Sequence, residues 1–174
     1  KILEIIEVLV EISSLYLNMQ IKSGANRVMI FESWAGLLDG QDYIDFIIKP
    51  TNKLIDKVKK KYPKIPIVTF PRGSGKKILD FIDSVPCSVI SLDKTFPKKI
   101  LKIANEKNIT LQGNLDPLIL VEGGKRLDEE VKKILLTFKE NKHIFNLSHG
   151  ILPITPIENV IKTLKIIRSF NETR

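Results

Sequence analysis

Five short β-branched segments, separated by stretches of helical periodicity, constrain this chain more than any other feature. Arg27–Phe31, Pro66–Phe70, Ser88–Leu92, Ile109–Gly113 and His143–Leu147 are apolar runs bounded by turn formers, the pattern of buried strands. They start near residues 28, 66, 88, 109 and 143, too far apart for hairpins and far enough for crossover helices. The expectation is an α/β fold with a parallel sheet. No Gly/Ser- or Pro-rich linker interrupts it, so residues 1–174 read as one domain.

The intervening segments supply the helices. Ile2, Ile5, Ile6, Leu9, Ile12, Tyr16 and Met19 recur at helical spacing from the first residues onward, although no N-cap residue precedes them. Gln41–Ile48 and Thr51–Lys61 read as two helices broken near Pro50, because proline has no amide to donate. Gly75–Ile82 and Pro97–Glu106 are shorter helices. A further helix carries Leu127, Val131, Ile134, Leu135 and Phe138 on one face. Thr155, Pro156 and Glu158 form the pattern of a capping box before a helix whose core face is Ile157, Val160, Ile161, Leu164 and Ile167.

Composition narrows the function classes. The net charge is +8, which raises the question of an anionic partner. The 23 lysines and 5 arginines are dispersed, mostly over helices (Lys53, Lys57, Lys132 and Lys133), and aromatics make up 7%. A nucleic-acid surface concentrates charge and interleaves aromatics, so nucleic acid is not expected. No apolar run approaches a membrane span. One cysteine, Cys87, precludes an internal disulfide and fits a reducing cytoplasm. With two histidines and one cysteine, a Cys/His zinc site lacks ligands. No nicotinamide, flavin or pyridoxal fingerprint is present, and no cofactor is expected.

In parallel βα folds the chemistry gathers just past the carboxyl ends of the strands. Those positions hold Glu32-Ser33-Trp34, Pro71-Arg72-Gly73, Asp93, Asn114-Leu115-Asp116 and Ser148-His149-Gly150. Arg72, from its position alone, is expected to contact an anion. Arg72–Lys77 lacks the first glycine of a phosphate loop, and no hydroxyl residue follows its lysine. Glu32-Ser33-Trp34-Ala35 is not a nucleophile elbow. Cys87 precedes a strand, at the end of the sheet away from these residues, and reads as a core residue.

Four segments resemble one family. Gln20–Ala25 followed by Ile30–Gly36, then Gln112–Pro117, then Phe145–Pro153 with Thr155-Pro156 and Glu158–Val160, are similar in order and wording to uroporphyrinogen decarboxylases. Ser148 stands where that family has glycine. The resemblance implies the C-terminal five βα units of a (β/α)8 barrel, incomplete on its own. The N-terminal part would lie elsewhere, with the arginines for substrate carboxylates, the aspartate for the pyrrole N–H groups and a tyrosine.

It further implies cofactor-free decarboxylation of the four acetate arms of uroporphyrinogen III to coproporphyrinogen III in haem biosynthesis. Ser33 and His149 would hydrogen-bond substrate carboxylates, His149 would assist proton transfer, and Phe31 would offer an apolar wall. The family forms homodimers. Two alternatives are a non-catalytic half-barrel serving assembly or dimerisation, and a zinc-dependent cobamide methyltransferase of the same superfamily.

Overall fold

The computed structural model describes residues 1–172. Its elements run α1 (Ile2–Lys22), β1 (Val28–Glu32), α2 (Gly40–Tyr43), a π-helical segment (Ile44–Ile48), α3 (Lys49–Lys61), β2 (Ile67–Pro71), α4 (Ile78–Ser84) and β3 (Val89–Ser91). They continue as α5 (Lys99–Glu106), β4 (Thr110–Leu115), α6 (Pro117–Glu122), α7 (Gly124–Thr137), β5 (His143–Leu147) and α8 (Ile157–Glu172). All five strands pair in parallel, in the order β1-β2-β3-β4-β5. Each crossover therefore steps one place in the same direction. A doubly wound sheet reverses direction at a switch point; a (β/α)8 barrel does not, and this fold is five successive units of one.

The strands' two faces differ. Ile67, Ile90, Leu92, Leu111 and Leu115 pack with the helices into the main core, together with Ile55, Val58, Phe81, Ile100, Leu127, Val131 and Phe138. The opposite face carries Met29, Phe31, Val68, Phe70, Ser91 and Gln112 in register. Cys87 is buried in the core, where burial pushes its thiol pKa up.

Several local expectations are revised. Pro50 breaks nothing: α3 begins at Lys49 with proline in its first turn, and the π-helical segment joins it to α2. A first-turn proline has no intrahelical amide bond to lose. Pro117–Glu122 forms a short helix, α6, that the sequence pattern did not show. Asp116 caps it by accepting from the Leu118 N–H at 3.0 Å.

The apolar stripe of α1 faces away from the sheet. Ile2, Ile5, Leu9, Ile12, Tyr16 and Met19 are exposed, whereas Val10, Ser14 and Leu17 are buried. Lys53–Glu7 and Lys57–Glu11 ion pairs hold α1 on α3. On α8, Ile157, Ile161 and Leu164 are likewise exposed, while Val160 and Ile167 pack on the core. The capping box does not form. The Thr155 N–H closes a turn on the Leu152 carbonyl at 2.9 Å, its hydroxyl is buried without a partner, and the helix begins two residues later.

Candidate functional site

The polar ends of the strands are laced to one another. The Arg72 N–H donates to the Glu32 carbonyl at 3.1 Å, and the Gly36 N–H donates to the Arg72 carbonyl at 2.9 Å. Lys77 Nζ donates to the Gly36 carbonyl at 3.2 Å and to Asp39 Oδ1 at 2.7 Å. Lys77 is thus engaged in holding the loop after β1 rather than a phosphate. Gly36 sits so close to Gly73 that a Cβ on it would lie 2.5 Å from the Gly73 carbonyl oxygen. Behind this clasp, Tyr43 Oη donates to Ser74 Oγ at 2.8 Å, since Ser74 Oγ itself donates to the Pro71 carbonyl. Burial pushes the Tyr43 phenol up to about 12.

Further along, the Gly73 N–H donates to Asp93 Oδ2 at 2.9 Å. The Asn114 amide donates to the Asp93 and Lys94 carbonyls at 3.0 and 3.1 Å. The Ser148 N–H donates to the Leu115 carbonyl at 2.8 Å. These bonds run across all five strand ends and fix the loops that carry Ser33, Arg72, Asp93 and His149.

Inside this rim lies a cavity of about 710 Å³. Met29, Phe31, Phe70, Phe145 and Leu147 give it apolar walls, and Ser33, Arg72, Ser91, Gln112, Asn146 and His149 give it polar groups. Phe31 meets Phe70 edge-on, with ring centroids 6.4 Å apart. Among the described residues no other arginine lines it. Burial holds the Asp93 carboxyl above the usual range, outweighing the Gly73 N–H bond and the charges of Arg72 and His149, which favour its ionised form.

The structure therefore brings Phe31, Ser33, Arg72 and His149 to one cavity. Glu32 stays out of it: its carboxylate accepts from the Trp34 N–H at 3.4 Å, and burial raises its pKa. Ser91, Gln112 and Asn146 line the cavity without having been singled out as site residues. The strand register could have found the first two. Ser91 pairs with Gln112, on the face that Met29 and Phe31 share.

Comparisons with known proteins bear on the same stretch. A family model described as uroporphyrinogen decarboxylase matches residues 1–170. The chain belongs to the uroporphyrinogen decarboxylase family. It is 43% identical to the uroporphyrinogen decarboxylase of Rickettsia bellii over 167 residues, which cover 96% of this chain and 49% of that protein. It is 40% identical to the protein of the same name from Rickettsia africae over 169 residues, 97% of this chain and 49% of the relative. The chain thus spans about half the length of the curated relatives it matches.

No cluster of three or more His, Cys, Asp or Glu suited to a metal ion occurs among the described residues. Cys87 precedes β3 and His149 follows β5, so the two lie at opposite ends of the sheet. No described helix is long and apolar enough to cross a membrane.

Proposed function

We propose that this chain is the part of a uroporphyrinogen decarboxylase that forms one wall and the rim of its substrate cleft. The observation that carries this reading is the cavity itself. Phe31, Ser33, Arg72 and His149 converge on it, and the family resemblance assigns substrate contacts to three of them. An apolar wall under a rim of donors suits a ring system with anionic arms.

The chemistry follows from the substrate. Protonation of an electron-rich pyrrole on carbon gives a cation that accepts the electron pair of the breaking C–C bond as carbon dioxide leaves. A second proton delivered to the exocyclic carbon completes the methyl group, and loss of the first from the ring carbon restores the pyrrole. Each arm therefore consumes one proton overall. Ser33 and His149 donate hydrogen bonds to substrate carboxylates. His149 also assists proton transfer, a role suited to an imidazole, whose two ring nitrogens can donate and accept. Arg72 adds a fixed positive charge to the rim, and Phe31 bears on the face of the macrocycle.

Residues 1–174 act in this reading as one unit, completed by the remaining barrel strands of a cytoplasmic, homodimeric enzyme. Three features support the completion: β1 and β5 are sheet edges, α1 exposes an apolar stripe, and relatives are about twice as long. Unpaired strand edges of this kind invite pairing. The reading is tested by titrating the chain with uroporphyrin and following Trp34, the single tryptophan, which is 69% exposed beside Ser33. Saturable quenching that weakens in Arg72→Ala is expected; unquenched fluorescence counts against this cleft.

A further inference from the structure

After Ser33-Trp34 the chain enters a single 3-10 turn, Ala35–Leu37. A helical turn ends in carbonyls that find no partner within it. Lys77, the residue before α4, supplies the partner from 40 positions away in spirit of a cap: its Nζ donates to the Gly36 carbonyl at 3.2 Å, to the Leu38 carbonyl and to Asp39 Oδ1 at 2.7 Å.

An ammonium has three N–H donors, and here each has an acceptor. The same Nζ lies 5.2 Å from the centre of the buried Tyr43 ring, a further attraction that holds it in place. The Lys77 side chain is 21% exposed against 85% for Asp39, so the two carbonyls anchor the loop more firmly than the exposed ion pair does. Gly36 is thereby bonded on both sides, its N–H to the Arg72 carbonyl and its carbonyl to Lys77. Ser33, three residues earlier, has no side-chain hydrogen bond among the described residues, so the backbone alone sets where its hydroxyl lies. Lys77 itself does not line the cavity.

We infer that Lys77 is a positioning residue of the cleft: by tying Gly36 and Leu38 to the start of α4, it holds the Ser33 hydroxyl where a ligand carboxylate meets it. This inference rests on the cleft reading above. It gives a lysine beside an anion-binding cavity a role that requires no contact with the anion.

Calorimetric titration of the chain with uroporphyrin separates this role from the loss of a positive charge and from general loosening of the rim. Ser33→Ala should weaken binding about tenfold, the loss of one hydrogen bond to a charged group. Lys77→Met keeps the apolar stem and removes the donors, and should cost about five- to tenfold by the same route. In the Lys77→Met background, Ser33→Ala should then cost no more than about twofold, because two changes that remove one contact do not add. Arg72→Ala should cost the same factor in both backgrounds, since the Arg72 N–H is held by the Glu32 carbonyl. Lys76 is exposed and has no hydrogen bond to this loop among the described residues; Lys76→Met removes an equal charge and should cost less than about twofold, as screened surface charge does.

Unchanged affinity in Lys77→Met, losses that add fully with Ser33→Ala, or an equal loss in Lys76→Met overturn the inference while leaving the cleft reading intact. Should Lys77→Met misfold by circular dichroism, Lys77→Gln takes its place: a loss that does not add with Ser33→Ala supports the inference, and an additive loss or none overturns it. Failure of the wild-type chain to bind uroporphyrin overturns the cleft reading, and this inference with it.

Discussion

Ser33, Arg72 and His149 line the cavity, and their side chains take part in no hydrogen bond among the described residues, so their hydrogen-bonding groups are open to a ligand. His149→Asn in a completed enzyme is expected to lower turnover about ten- to a hundredfold, at or below the range for a positioned acid–base group, with the fold retained. It should also change which partly decarboxylated intermediates accumulate, a pattern that chromatography of the products reads directly. Arg72→Ala is expected to raise the dissociation constant for uroporphyrin about tenfold, as fluorescence titration would show.

Asp93 gives a prediction with a definite sign. Burial holds its carboxyl above the usual range despite Arg72 and His149, so the folded protein takes up this proton more readily than the unfolded chain. The ionised group therefore costs stability at neutral pH, and the cost fades as pH falls into the ordinary carboxylate range. Asp93→Asn keeps an acceptor for the Gly73 N–H. It should raise the melting temperature by about 1–3 °C at pH 7, with the gain closing near pH 4 and below. A gain that grows on acidification would contradict the assigned cause.

Among the elements, the loops after β1 and β2 are the most closely fitted. Gly36 abuts the Gly73 backbone, which has no side-chain freedom to give way. Gly36→Ala should destabilise the fold by ~1–3 kcal/mol, the range for overpacking, and weaken ligand binding by displacing Ser33 and Arg72 together. A urea melt read beside a uroporphyrin titration checks both effects. Asn159 makes a comparable clasp elsewhere: its amide donates to the Leu120 and Val121 carbonyls at 2.9 and 3.1 Å, closing the end of α6.

What the sequence made legible follows from these contacts. Strand periodicity located all five strands to within two residues at either end, because Val, Ile and Phe runs leave little alternative. The buried face of α7 was legible for the same reason: Leu127, Val131, Ile134, Leu135 and Phe138 all face one core. Periodicity could not say which way the apolar stripe of α1 points, since a helix with apolar residues on two sides fits equally well either way round. The capping pattern at Thr155 failed because the Leu152 turn fixes the local backbone first. At the site, Ser33, Phe31 and His149 were legible through the family resemblance, and Arg72 through its place after a strand. Gln112 and Ser91 stayed hidden because their juxtaposition is a matter of register between strands, not of spacing along the chain.

At the scale of the whole molecule, one array of parallel strands carries a rim on its carboxyl ends and apolar surface at both flanks. Ile5, Leu9, Ile12 and Tyr16 on α1, and Ile157, Ile161 and Leu164 on α8, are exposed. Contiguous apolar surface of this kind marks an interaction face. In the proposed enzyme, the remaining units of the barrel cover it. The most direct test joins this chain to the part of the Rickettsia bellii protein that lies outside the matched stretch, and supplies uroporphyrinogen anaerobically. The expected result is a folded chimera that releases coproporphyrinogen, with turnover depressed by His149→Asn. A folded chimera that neither binds nor decarboxylates uroporphyrinogen would contradict the proposed function.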